Sequence, residues 1–312
     1  MRDVIPGPAE RVAEMAERRP RDPAIFDVRD SGNSVWTWSE LERQTERTAA
    51  LLAQLGVGRG EVVAYQLPNR AEFVAITLGA LRLGAICCPL MPIFRERELE
   101  DLLRRARAPV VFAVDEYRGR RPAQEIASLE PRLPLLKHGV VVASGRDEPD
   151  IPCSQRVTWT SLHRASDAIA AYGRAAGTSA PDPNGLAQLL FTSGTSGEPK
   201  GVLHHRDTLT SAVAMEIEHL GLGADDRIYV PSPLAHQTGF LYGMWLALML
   251  GVPQIVQETW DPVRGLEAFS RAGATFVQAA TPFLADLVQA VEDGADPPRS
   301  LRTFVATGAA VP

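Results

Sequence analysis

One short stretch of the chain concentrates groups that can hold an anion. In LLFTSGTSGEPKGV, residues 189–202, an apolar run delivers four hydroxyls (Thr192, Ser193, Thr195, Ser196), three glycines (Gly194, Gly197, Gly201) and one lysine (Lys200). Glycine leaves the backbone free to turn N–H groups toward a ligand, hydroxyls add rotatable donors, and a lysine is a point charge for phosphate oxygens. The segment reads as a polyphosphate cradle. It departs from the nucleoside-triphosphatase P-loop: Glu198 and Pro199 interrupt the run, and Lys200 is followed by Gly201 where that loop needs Ser or Thr for magnesium. A solvated Ser/Thr/Gly turn has a similar composition. The apolar run before the segment and the Pro-Lys-Gly after it favour the cradle.

The second candidate is His236, within PLAHQTG at residues 233–239. A lone histidine near a helix start is ordinarily a hydrogen-bonded structural group, but a neutral imidazole there can also donate to a carboxylate without fixing a full charge. His204 and His205 are adjacent on a strand-like GVLHH, face opposite ways and read as structural. The remaining histidines are scattered, so no metal-ligand cluster is visible. Met244, Trp245, Leu248 and Met249 fall on one helical face and read as core.

These groups need a scaffold, and the hydrophobic period supplies one. Leu41, Thr45, Thr48, Leu51, Leu52 and Leu55 recur at helical steps until Gly56 and Gly58 stop the pattern. VVAYQL at residues 62–67 predicts a strand, residues 71–83 a helix, AICCPL at 85–90 a buried strand, 95–106 a charged-faced helix and VVFAV at 110–114 another strand. Beyond a weaker region containing VVVA at 140–143 and a Gly/Pro/Asp-rich linker at 177–185, the alternation resumes. It runs through LAQLLF at 186–191, a helix near 207–219, RIYV at 227–230, a buried helix, PQIV, a further helix, TFVQAA, a helix from Pro282 and TFVAT at 303–307. Such alternation predicts an α/β fold of layered, mainly parallel sheets with flanking helices joined by right-handed crossovers. The expected division is an N-terminal α/β subdomain over 1–180 and a second α/β subdomain, carrying the phosphate loop, over 181–312.

Composition narrows the class. The chain has 312 residues, 45% hydrophobic and 22% charged, enough for two core-bearing units and unlike a disordered chain. With 32 Lys and Arg against 38 Asp and Glu, the formal charge is −6, and no basic face is expected for nucleic acid. Cys87, Cys88 and Cys153 read as reduced, buried small hydrophobes, which suggests a cytoplasmic protein. FLYGMWLALMLGV at 240–252 is the one apolar run that raises the membrane question; it ends at Pro253 and Gln254, short of the ~20 residues a crossing requires, and reads as a core helix.

The string TSGTSGEPKG resembles, at essentially every position, the phosphate-binding signature of the adenylate-forming superfamily, which contains acyl-CoA synthetases, aryl-CoA ligases, luciferase-like enzymes and peptide-synthetase adenylation domains. Further segments follow in family order from about Asp22 onward. WTWSEL at 36–41 is similar to its early helix-start motif, LRLGAICCPLMP at 81–92 to its Gly-Ala-Pro segment, PLAHQTG to its acyl-pocket motif and TGAAVP at 307–312 to its adenine-binding segment. The resemblance implies that a carboxylate attacks the α-phosphate of ATP to give an acyl-adenylate, which a thiol then attacks, with Mg2+ on the phosphates and coenzyme A as co-substrate. It places Thr192, Ser193, Gly194, Thr195, Ser196, Gly197 and Lys200 at the ATP phosphates, with Lys200 and His236 in catalytic roles. His236, Thr238, Gly239 and Thr307 would line the acyl pocket, and Gly308, Ala309 and Ala310 would lie against adenine. No metal ligand is assigned among these residues.

PLAHQTGFLYG lacks the aspartate that amino-acid-activating members place just past this point, so the resemblance favours a simple small-molecule carboxylic acid. CPLMPIFRERELE at 88–100 is similar to medium-chain and alicyclic acyl-CoA ligases. The family's later acidic segment, ribose-binding aspartate, hinge and small C-terminal domain with its catalytic lysine lie beyond the motifs found here. Two readings follow. One is the incomplete N-terminal domain of an AMP-forming acyl-CoA ligase, with a missing C-terminal portion or a homo-oligomer partner; the other is a non-catalytic nucleotide- or acyl-binding fragment, or one half of a split enzyme.

Overall fold

The computed structural model describes residues 6–144, 150–154, 156–162, 185–192 and 199–310. The chain opens with α1 (Pro8–Arg18), β1 (Pro23–Val28), β2 (Ser34–Thr37), α2 (Trp38–Gln54), β3 (Val62–Gln66) and α3 (Ala71–Arg82). It continues through β4 (Ile86–Leu90), α4 (Glu96–Ala106), β5 (Val110–Val114), α5 (Pro122–Ser128), β6 (His138–Val142) and β7 (Thr158–Ser161). After β8 (Leu186–Thr192), β9 (Lys200–His205), α6 (Arg206–Leu220) and β10 (Ile228–Val230) comes α7, which joins Gln237–Gly239, a π-helical Phe240–Trp245 and Leu246–Leu250. The described chain closes with β11 (Gln254–Gln257), α8 (Pro262–Ala272), β12 (Phe276–Ala280), α9 (Thr281–Glu292) and β13 (Thr303–Thr307).

The elements fall into two compact units. The first comprises Met1–Glu42, Asn69–Ala71 and Leu209–Pro312, and the second Arg43–Pro68 and Glu72–Thr208. This differs from the linear division at residue 180. The reason is strand pairing: β1 is parallel to β11, with Ile25 opposite Gln254, so the first forty residues join the last hundred. Of the 177–185 linker, residues 177–184 lie outside the described part of the chain.

In the first unit the sheet order is β13-β12-β10-β11-β1-β2, parallel apart from the β1–β2 hairpin. One face carries Tyr229, Ile255, Val277 and Ala279, packed on Leu266 and Phe269 of α8 and Leu287 of α9. Full burial of each large apolar side chain contributes ~1.5–3 kcal/mol. Helix α8 is well punctuated: Asp261 caps it by accepting from the Arg264 N–H at 2.9 Å, Pro262 occupies its first turn and Gly273 ends it at φ +64°. The opposite face receives α7, where Gly243 sits so close to Val230 of β10 that a Cβ would meet Val230 Cγ1 at 2.5 Å.

The second unit is a seven-stranded sheet, β7-β6-β5-β3-β4-β8-β9, antiparallel only at β8–β9. Its central strands, β3 to β6, are buried on both faces, which is why VVFAV reads as a continuous apolar run. Leu99, Leu102 and Leu103 of α4 and Ala123 and Ile126 of α5 cover one face. On the other, Phe73 of α3 meets Tyr65 edge-on at 4.8 Å, and Thr77 hydrogen-bonds the Tyr65 hydroxyl at 2.9 Å. Gly79 lets α3 approach α2, since a Cβ there would meet the Thr48 side chain at 2.9 Å.

The core residues expected along α7 are buried: Met244, Trp245, Leu248 and Met249. No helix among the described residues is long and apolar enough to cross a membrane. Cys87 and Cys88 are buried, and burial pushes the Cys87 thiol up to about 12. Cys153 is exposed, contrary to expectation; it lies in the irregular stretch before β7, with no apolar run to bury it.

Candidate functional site

In the second unit, β8 and β9 form an antiparallel pair that sets Thr192 opposite Lys200. The two ends of the expected phosphate segment are therefore register partners, both exposed. Ser193, Gly194, Thr195, Ser196 and Gly197 lie outside the described residues. Gly201 is needed by packing: a Cβ there would lie 3.0 Å from Leu189 Cδ1 and 3.3 Å from Phe191 Cε1. His204 stands opposite Gln188 and is half-buried, and burial lowers its pKa; His205 is exposed.

In the first unit, the remaining expected residues meet at the carboxyl ends of β10, β12 and β13, the side of an open parallel sheet where ligands bind. From Val230 the chain leaves β10 through two prolines, Pro231 and Pro233, and enters α7 at His236. His236 Nδ1 accepts the Thr238 N–H at 3.3 Å. In a neutral ring this leaves the proton on Nε2, which can donate to an acceptor oxygen. The capping role and a ligand role are thus compatible in one tautomer, and the exposed ring stands at the positive end of α7. Gly239 is buried beneath that turn, where a Cβ would lie 2.3 Å from Pro233 O and 2.6 Å from Ser232 O.

The end of β13 is tied down by two threonines. Thr307 Oγ1 donates to Ala279 O at 3.3 Å, and Thr281 Oγ1 donates to Ala309 O at 2.9 Å. Gly308 turns between them at φ +79°, a left-handed conformation that favours glycine. Gly308, Ala309 and Ala310 consequently expose backbone beside the end of β12. A planar ring can lie against such side-chain-poor backbone.

Two groups of positioning residues in this unit were not among those read from the sequence. Asn69 is buried and braces the loop after β10 with three hydrogen bonds. Its Nδ2 donates to Val230 O at 3.2 Å and Ser232 O at 2.9 Å, and its Oδ1 accepts the Leu234 N–H at 2.7 Å. Arg70, only 2% exposed, is paired with Glu258 through Nε at 2.7 Å, and Glu258 Oε2 also accepts the Asp30 N–H at 3.1 Å. Asp27 Oδ2 accepts from Arg29 Nε at 2.7 Å and from the Ala71 N–H at 3.3 Å. Polar residues after the Pro68 of an otherwise apolar run are the available signal; their distant partners have none.

A cavity of about 230 Å³ lies on the α8 side of the same sheet, lined by Phe26, Val35, Arg264 and Arg271 among others; no expected site residue lines it. Among the described residues no group of three or more His, Cys, Asp or Glu could hold a metal ion.

The family model described as AMP-binding enzyme matches residues 12–312. The chain is 30% identical over 292 residues to the medium-chain fatty-acid–CoA ligase of Escherichia coli K12, covering 93% of this chain and 49% of the relative. It is 34% identical over 238 residues to a Mycobacterium tuberculosis CoA ligase named for a bicyclic dioxo-octahydroindenyl propanoyl group, covering 76% of this chain and 44% of the relative. Among solved structures, acetoacetyl-CoA synthetase from Streptomyces lividans superposes with a TM-score of 0.80 at 22% identity, over 98% of this chain and 47% of that one. The chain spans about half the length of these relatives.

Proposed function

The chain belongs to the AMP-binding enzyme family, and from that premise we propose that it is the portion of an AMP-forming carboxylic acid–CoA ligase that holds ATP and the acid. The observation that carries this reading is the gathering of His236, Gly239, Thr307 and Gly308 at the carboxyl ends of three adjacent strands. Names of relatives that refer to a medium-chain fatty acid and to a bicyclic propanoyl group support an apolar or alicyclic acid.

In this reading a carboxylate oxygen attacks the α-phosphorus of ATP, the bond to the bridging oxygen breaks and pyrophosphate leaves. The sulfur of coenzyme A then attacks the acyl carbon and AMP leaves. His236 Nε2 donates to the carboxylate and orients it, Lys200 and Thr192 attract the phosphate oxygens, and the backbone of Gly308, Ala309 and Ala310 lies against adenine. Ser193, Gly194, Thr195, Ser196 and Gly197 add donors to the phosphates, while Thr238, Gly239 and Thr307 bound the acyl group. The donor set, hydroxyls and backbone N–H groups without a carboxylate, offers magnesium no assigned protein ligand and suits an ion carried by the ATP phosphates. Bound magnesium would neutralise charge on the departing pyrophosphate. The buried thiols of Cys87 and Cys88 support a cytoplasmic setting.

The test is carboxylate-dependent ATP–pyrophosphate exchange by the purified chain across short, medium, alicyclic and aromatic acids. Exchange that falls by about a hundredfold in Lys200→Ala supports the reading. A folded chain that exchanges with no acid, alone or supplemented with a C-terminal portion, rules it out in favour of a unit that holds ligands without turnover.

A further inference from the structure

Helices α8 and α9 lie side by side on one face of the first unit's sheet. Two cavities of about 600 Å³ and about 640 Å³ open to solvent along the seam between them, and they adjoin at Val263, Gly294 and Ala295. The floor of the seam is apolar. Leu266 and Ala290 are buried there, Trp260 stands edge-on to Phe283 at 4.8 Å, and Val263, in the first turn of α8, keeps 49% of its surface exposed.

The rim of the same seam is acidic. Glu267, Asp286, Asp293 and Asp296 line the two cavities against a single cation, Arg271, and none of the four has an ion-pair partner among the described residues. Asp286 accepts the Trp260 indole N–H at 2.7 Å and Asp293 accepts from Gln289 Nε2 at 3.0 Å, which orients both carboxylates and neutralises neither. Glu292 and Asp293 also stand at the negative end of the α9 dipole, with no basic residue in its last turn. A carboxylate in that position costs about 0.3–1 kcal/mol where a lysine would gain as much. An uncompensated negative field above an exposed apolar floor is satisfied from outside by cations carried on an apolar body.

We propose that the seam is a docking groove for a basic amphipathic helix of a partner protein, whose aliphatic side chains cover Val263 and whose Lys or Arg side chains meet the four carboxylates. From Val263 to Arg271 the groove runs about 12 Å at 1.5 Å per residue, enough for roughly two turns of such a helix. The sign of the field selects the occupant, since an anionic lipid surface or a nucleic acid is repelled. None of these residues is among those assigned to ATP or the acid, so the inference is independent of the ligase reading.

The probe is a synthetic, fluorescently labelled helical peptide with leucine at i, i+3, i+4 and i+7 and lysine on both flanks of that stripe. Its binding to the purified chain is followed by fluorescence anisotropy, beside two control peptides, one with glutamate in place of lysine and one with serine in place of leucine. The lysine-leucine peptide is expected to bind about tenfold or more tightly than either control. Val263→Asp decides between docking and simple charge attraction, because it removes the apolar floor and adds a carboxylate where the first turn of α8 accommodates one. Docking predicts weakening of about tenfold or more; attraction to negative charge predicts tightening. Asp293→Lys, a substitution that suits the end of α9, should weaken binding to a similar degree. No binding of the lysine-leucine peptide, equal or tighter binding to Val263→Asp, or indifference to Asp293→Lys each overturns the inference. Self-association of the chain in sedimentation velocity that Val263→Asp abolishes overturns it too, by giving the groove to a second copy.

Discussion

Asn69 Oδ1 accepts the backbone N–H of Leu234 at 2.7 Å, two residues before His236. The same side chain donates to Val230 O and Ser232 O. One amide therefore sets the path of the loop that presents the histidine. Asn69→Ala would orphan a buried N–H and weaken the satisfaction of two carbonyls. The expected cost is about 2–4 kcal/mol in urea denaturation. Asn69→Asp should be no milder, because it faces two carbonyl oxygens with an acceptor.

Gly239→Ala places a methyl group 2.3 Å from Pro233 O, against backbone that cannot swing aside. The loop must move, and His236 with it. Pyrophosphate exchange should fall by about tenfold to a hundredfold, since misplacement of about 1 Å is enough for such a loss. An unchanged exchange rate would show that the loop does not set the geometry of the reaction.

Arg70 and Glu258 are both buried, so removal of one leaves the other charge without its main counterion. Arg70→Met should cost about 3–5 kcal/mol, whereas Arg70→Met combined with Glu258→Leu should recover much of it. A double-mutant cycle by thermal or urea unfolding gives the coupling directly.

Glu216 on α6 is half-buried with Oε2 enclosed and unpartnered, and burial raises its carboxyl to about 7. The folded state thus holds a proton that the unfolded state releases near 4.5. Its contribution to stability is present below that lower value and is lost as pH rises through the higher one. The urea midpoint should decline between about pH 5 and pH 8, and Glu216→Gln should flatten the decline.

Much of this was legible from residue order. The strands at 62–66, 110–114 and 186–192 and the helices at 38–54 and 71–82 follow from apolar period and from glycine stops at Gly56 and Gly84. The short β1 and β2 were not read, because SVWT is half-exposed and its pairing partner is β1 alone. The π-helical turn at Phe240–Trp245 escaped because every position in it is apolar, so no period distinguishes 3.6 from wider residue spacing. At the site, Lys200 and His236 announce themselves by type and neighbours. Asn69, Arg70 and Glu258 do not, since their roles come from partners 161 to 188 residues away.

The parallel pairing of β1 with β11 has a consequence during synthesis on the ribosome. Ile25 emerges roughly 230 residues before its partner Gln254. At about 5–20 residues per second, roughly 10–50 s pass before the central strand of that sheet exists. In the meantime the nascent β1–β2 hairpin carries its apolar residues with nothing to bury them, since two strands alone are marginal in water. The second unit, all of which lies between β1 and β11 in the chain, can fold during that interval. The N-terminal segment is therefore the part of the newborn chain in most need of a holding chaperone.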